Sequence, residues 1–139
     1  MRALMLAATI CFGGFFVGSA QAQTLTVVPK KDPVQGGVPA GQVSVFADGT
    51  YTVVGNQVVD KVIVKWYRQE ANGNLTWVAD STDGVPAVGI YSTNKWNADI
   101  NNAQGAPNKW TCIAHLYVTR PGNPVPVIVR SAVVVNFLP

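Results

Sequence analysis

Residues 64–77 read VKWYRQEANGNLTW, and this stretch decides the fold. In its first half Val64 and Trp66 fall on one side of an extended chain and Lys65, Tyr67 and Gln69 on the other, because successive strand side chains point to opposite faces. Its second half turns again to strand formers, Leu75, Thr76 and Trp77. Between them Asn72-Gly73-Asn74 supplies residues that tolerate positive φ, as a tight hairpin requires. The stretch predicts adjacent antiparallel strands over 60–69 and 75–80, with Trp66 directed into a core.

Outward from this hairpin, no window after residue 23 sustains a 3.6-residue apolar period. Short runs of Val, Thr, Tyr and Trp recur between Gly, Pro, Asn and Asp clusters. Further strands are expected over 24–28, 42–54 with a break at Asp48-Gly49, 89–100 in irregular form, 108–119 and 126–138. Seven strands in one domain suit an all-β sandwich of two sheets. Pro121-Gly122-Asn123-Pro124 turns the chain between the last two, and Pro29 to Gly41 reads as a linking loop. Alternation assigns Val62, Val64 and Trp66, then Trp96, Ala98 and Ile100, then Trp110, Cys112, Ala114, Leu116 and Val118 to the core. Val127, Val129, Val133, Val135 and Phe137 share a face in the last strand, interrupted by Ser131. The structural core is thus expected around Val64, Trp66, Trp96, Trp110, Cys112 and Leu116.

The N-terminal residues carry a targeting signal. Arg2 gives a positive start, Ala3 to Val17 is an apolar run too short and Gly-rich for a comfortable membrane span, and Ala20-Gln21-Ala22 places small residues where a signal peptidase reads. A signal peptide over 1–22 cut before Gln23 leaves one domain over 23–139, enough to bury a single core and with no membrane span expected. An uncleaved anchor is the alternative. A lipoprotein at Cys11 is disfavoured by the bulk of Ile10. The expected destination is the periplasm or the medium, in a bacterial host.

Without Arg2, nine of the ten Lys and Arg residues stand against seven Asp and Glu. No basic run exceeds Lys30-Lys31, whereas nucleic-acid binders cluster their positive charge, so no nucleic-acid partner is expected. Cys11 leaves with the leader and Cys112 remains alone, so no intrachain disulfide forms. Within its apolar alternation Cys112 reads as a buried, inert thiol, with pairing between chains as the alternative.

Catalytic chemistry finds few materials. His115 is the only histidine, and a hydrolytic triad needs a nucleophile and an orienting acid beside such a base. Parity sends His115 and Cys112 to opposite faces, so His115 is expected as a surface residue or part of a binding face, with no catalytic residue in the chain. No paired Cys or His spacing suits zinc. Asp80, Asp83, Asn97, Asp99, Asn101 and Asn102 offer oxygens to calcium but lack EF-hand spacing and read as turn formers. No metal or cofactor is expected. Asn74-Leu75-Thr76 is a glycan acceptor sequence at a hairpin tip, where turn chemistry already accounts for Asn74.

Val64, Trp66, Tyr67, Arg68 and Gln69 resemble strand C of the immunoglobulin-like superfamily, with Trp66 in the place of its core tryptophan. Trp77-Val78-Ala79 resembles the strand that follows, and Trp110-Thr111-Cys112 is similar to the family's Tyr-x-Cys. Tyr51 to Gly55 stands where the first cysteine belongs, and Ala106 replaces the acidic residue before the second. The phrase GTYTV, residues 49–53, is similar to the disulfide-free Ig-like repeats of exported bacterial proteins. The resemblance implies a Greek-key sandwich without catalysis, and a shared sandwich carries no function by itself.

What the residues offer is a surface. If strands 60–69 and 108–119 are neighbours, Lys65, Tyr67, Ile113, His115, Tyr117 and Arg130 share an outward patch with Ile63, extended by Val78, Ile128 and Val134. Aromatic, aliphatic and Arg groups together compose interface cores. The expectation is a non-enzymatic binding or structural module with a protein partner, met on this patch or by pairing at a sheet edge. Cover by loop 29–41 or by residues 83–95 would remove the patch. Carbohydrate binding is the alternative, requiring Trp77 or Tyr91 exposed beside Asn and Asp. A small secreted enzyme would require a concave site near His115 or Asp99. The oligomeric state stays open.

Overall fold

A computed structural model describes residues 23–139. The leader assigned to 1–22 and the thiol of Cys11 lie outside the described residues. Nine strands and no helix make up the described chain: β1 (Val28–Lys31), β2 (Gln42–Thr50), β3 (Val58–Gln69), β4 (Leu75–Asp83), β5 (Ile90–Ser92), β6 (Trp96–Asp99), β7 (Trp110–Arg120), β8 (Asn123–Arg130) and β9 (Val134–Phe137). They form two antiparallel sheets. In the smaller, β2 pairs with β1 and with both β5 and β6; in the larger, the order is β4-β3-β7, with β8 and β9 also on β7. The chain crosses between sheets after β2, β4 and β6. No described helix is long and apolar enough to cross a membrane.

The β3–β4 hairpin forms where the opening stretch places it. Gly73 takes φ 83° at its turn, and Trp66 faces Cys112 across the β3–β7 ladder. Val43, Val45 and Ala47 of the smaller sheet meet Val62, Val64, Trp66, Cys112, Ala114, Leu116 and Val118 of the larger in one core. This makes the fold sandwich-like. The Trp66 indole N–H donates to Ser81 Oγ at 2.8 Å, so both polar groups are satisfied inside the core. Trp66 meets Trp96 edge-on at 5.6 Å, and Trp96 meets Trp110 the same way at 5.1 Å, the arrangement ring quadrupoles favour. The indole nitrogens of Trp96 and Trp110 are buried without an acceptor, a desolvation cost of roughly 1–3 kcal/mol each.

Both sheets contain a broken strand mended by a hydroxyl. Between β5 and β6 the Thr93 amide donates to the Ala47 carbonyl, and the Ala47 amide donates back to Thr93 Oγ1 at 3.0 Å. Between β8 and β9 the Ser131 amide donates to the Ala114 carbonyl and the Ala114 amide to Ser131 Oγ at 2.9 Å. In each case a side-chain oxygen accepts the bond that a continuous neighbour's carbonyl would have taken, so the central strand loses no partner at the break.

These breaks correct the expected final strand. Residues 126–138 do not run as one strand; Val127 and Val133 are exposed, while Val129, Val134 and Phe137 pack against the core. Asn136, at φ 59°, lets the chain slip its alternation so that Val134 and Phe137 both turn inward. The side chain of Val135 lies outside those described. The first strand also shifts, to Val28–Lys31, and leaves Leu25 in a single bridge to Tyr51. Pro29 is tolerated there because β1 is an edge strand.

Candidate functional site

The outer face of the larger sheet gathers the expected binding residues. Ladder register sets them in rows: Thr82, Ile63, His115 and Arg130; then Asp80, Lys65 and Ile113; then Trp77, Tyr67 and Thr111; and, toward the other end, Lys61, Tyr117 and Ile128. Lys65, Tyr67, Ile113 and Tyr117 are half-buried, and Arg130 and Ile128 are exposed. Val78 falls at the register shift opposite Trp66 and Tyr67 and leaves the alternation. Val134 packs against the core instead of joining the patch.

One edge of the face is organised by Asp80. Lys65 Nζ lies 3.2 Å from its Oδ2 and 3.3 Å from its Oδ1, and the Trp77 indole N–H donates to Oδ1 at 2.8 Å. The Lys65 ammonium stands 5.8 Å from the Trp77 ring centroid, within cation–π range. Trp77, 56% exposed, is therefore held in place while its ring surface stays open. At the other end Lys61 Nζ sits 5.0 Å over the Tyr117 ring. Lys61 and Arg130 enter none of the ion pairs of the described residues.

His115 departs from its expected surface position. It lies on the outer face, yet only 8% of it is accessible, because Ile63 and Arg130 flank it across both ladders at the close spacing of cross-strand neighbours. Burial, then the Arg130 and Lys65 charges, hold its pKa below the ordinary imidazole value, with Asp80 opposing. The shift favours the neutral ring, which helps fill the face. Cys112 is fully buried on the opposite side of β7, its thiol pushed up to about 12 by desolvation. Among the described residues no group of three or more His, Cys, Asp or Glu is placed to hold a metal ion.

Loop 29–41 and residues 84–89, whose cover would have removed the patch, make their hydrogen bonds elsewhere, and Asn94 pairs with Thr82 at the edge of β4. The Asp32 amide donates to the Ser44 carbonyl, and the Gln35 carboxamide bonds both the amide and the carbonyl of Ser44, which ties residues 32–41 to the smaller sheet. Lys95 Nζ, 2.7 Å from the buried Asp32 Oδ2, strengthens that tie. Residues 84–89 are fixed by Tyr51, whose hydroxyl donates to the Ala87 carbonyl. Tyr91 is buried and donates to the Thr26 carbonyl, so of the two aromatics considered for sugar contact only Trp77 is exposed.

The joint role of Trp77, Asp80 and Lys65 is not visible in the alternation, because the irregularity at Val78 changes the parity between Trp77 and Asp80. The spacing of three between them is the only sequence signal. Compared with known proteins, the chain matches no family model and no curated sequence.

Proposed function

We propose that this chain is an exported, non-enzymatic Ig-like module, secreted or periplasmic, that binds a protein partner through the outer face of its larger sheet. Support for the Ig-like assignment comes from the strand order, β1-β2-β5/β6 against β4-β3-β7-β8/β9 with three sheet crossings, which is compatible with a Greek key. The observation that carries the function is the convergence of exposed Trp77, Ile128 and Arg130 with half-buried Tyr67, Tyr117 and Ile113 on one face. Aromatic and Arg side chains dominate binding hot spots. His115, largely buried between Ile63 and Arg130, is poorly placed to exchange protons with a substrate, which favours binding over catalysis.

Affinity capture of the exported protein from its own envelope or medium tests this reading. The expected result is a partner that survives washing and is lost on the double change Tyr67→Ala and Tyr117→Ala, with the melting curve still cooperative. Retention of the partner by that variant removes the face from consideration. A second reading, carbohydrate binding, draws on the exposed indole of Trp77 beside Asp80. It requires that Trp77→Ala abolish retention on a neutral polysaccharide column.

A further inference from the structure

Residues 84–89, GVPAVG, join β4 to β5 without a single charge, and two of their side chains project into solvent. Val85 is 90% exposed and Val88 completely so, on a loop position where polar residues are the rule. The loop is braced. The Tyr51 hydroxyl donates to the Ala87 carbonyl at 2.6 Å, the Tyr51 amide donates to the Gly89 carbonyl at 3.0 Å, and Asp83 Oδ1 accepts the Val85 amide at 3.1 Å. Beside it a groove of about 600 Å³ opens on the outer side of the smaller sheet, walled by Val28, Val85, Ala87 and Ile90 over the β2 backbone at Gly49. A rigid apolar knob and an apolar groove thus lie on and beside the same loop.

We propose that the chain associates with a second copy of itself about a two-fold axis, each Val88 entering the groove of the other. A two-fold contact demands a surface complementary to itself, and a knob adjoining a groove meets that demand when the axis runs between the two. The two carboxylates at the groove do not oppose a like surface strongly, because Asp48 is paired with Lys30 at 2.7 Å and Asp83 accepts the amides of Val85 and Ser92. A lipid surface fits less well, since it would draw both carboxylates toward hydrocarbon. Val28, Val85, Val88 and Ile90 together expose on the order of 450 Å² per copy, or about 900 Å² for the pair if all of it is covered, just under the roughly 1,000 Å² of a stable interface. The dimer is therefore weak and transient, forming only at high protein concentration. It leaves the aromatic and basic faces of both copies turned outward, a bivalent arrangement that raises avidity without new contacts.

Sedimentation equilibrium of the exported protein between about 10 μM and 1 mM tests the proposal. The weight-average mass is expected to climb toward twice the monomer value. Val88→Asp, placed on a fully exposed side chain, should weaken association at least about tenfold with an unchanged melting curve, while the Tyr67→Ala, Tyr117→Ala double variant should associate like the parent. Amide shifts on concentration should be confined to Val28, residues 84–89 and Ile90. A mass that stays monomeric throughout overturns the proposal. Association that survives Val88→Asp within a factor of about ten does so equally, because the contact then lies elsewhere.

Discussion

Gly49 sits in mid-strand, where glycine ordinarily weakens a sheet, and Gly49→Ala is expected to be among the most damaging small changes in the molecule. Its φ is not in the left-handed region, so the requirement is space. A Cβ there would collide with the Thr26 carbonyl oxygen and lie 2.9 Å from its carbon and 2.8 Å from the Tyr91 ring. Tyr91, opposite Gly49 in the β2–β5 ladder, passes its ring across the glycine to donate to the same Thr26 carbonyl at 2.7 Å. The methyl group must displace backbone or ring. Overpacking costs about 1–3 kcal/mol, and losing the Tyr91 hydrogen bond adds about 0.5–1.5. The sum, about 1.5–4.5 kcal/mol, is a large part of a typical stability of about 5–15. For the 117 described residues, an unfolding entropy of about 2.1 cal/mol/K per residue turns this into a Tm drop of about 6–18 °C. Urea and thermal unfolding followed by circular dichroism measure it. In a Tyr91→Phe background, where the hydrogen bond is already absent, the cost of Gly49→Ala should shrink by about 1 kcal/mol. A variant within about 0.5 kcal/mol of the parent would refute the reasoning, since so small an effect belongs to substitutions away from packed features.

Two further outcomes follow from the buried ionisable groups. Asp32 has its carboxyl held below the ordinary value of 3.8, first by the Lys95 ammonium and next by the Val34 amide, against desolvation. Its contribution to stability is complete above that ordinary value and disappears as pH falls through the lower folded value. The gap in urea midpoint between the parent and Lys95→Met should therefore be open at neutral pH and close below pH 3.8; a gap independent of pH contradicts the ion pair's role. Cys112, buried and pushed up to about 12, should not react with a disulfide reagent at pH about 8 in the native state and should react fully in denaturing urea. Native-state labelling at the denatured rate would show that the core opens at β7.

The central strands were legible because their chemistry is one-dimensional. Val62, Val64 and Trp66, and the run from Trp110 to Val118, alternate without interruption, and a period of two on a half-buried sheet has one reading. Asn72-Gly73-Asn74 added the turn. Register was not legible in the same way. The burial of His115 depends on Ile63 and Arg130, which only the ladders bring to its sides. The joint geometry of Trp77, Asp80 and Lys65 depends on an irregularity that leaves no mark in the sequence. Thr93 and Ser131 were the least accessible: a serine in a valine run looks like a defect in the pattern, and its service to the Ala114 amide appears only once the strand opposite is known.

The pairing scheme sets a schedule for folding. β3 and β4 are close neighbours in sequence, as are β7 and β8, and those two hairpins can form alone. The pairings between distant strands must wait: Val43 with Ala98 in the smaller sheet, and Trp66 with Cys112 and Val58 with Thr119 between the hairpins. Closing such long loops precedes any reward in burial, so sandwiches of this kind fold in milliseconds to seconds. A chain made from its N-terminus can pair β1 with β2 and β3 with β4 at once, but β2 waits for β5 and β6, and β3 waits for β7. Until β7 has been made the two sheets cannot close on one another, so the core around Trp66 is sealed only late in synthesis.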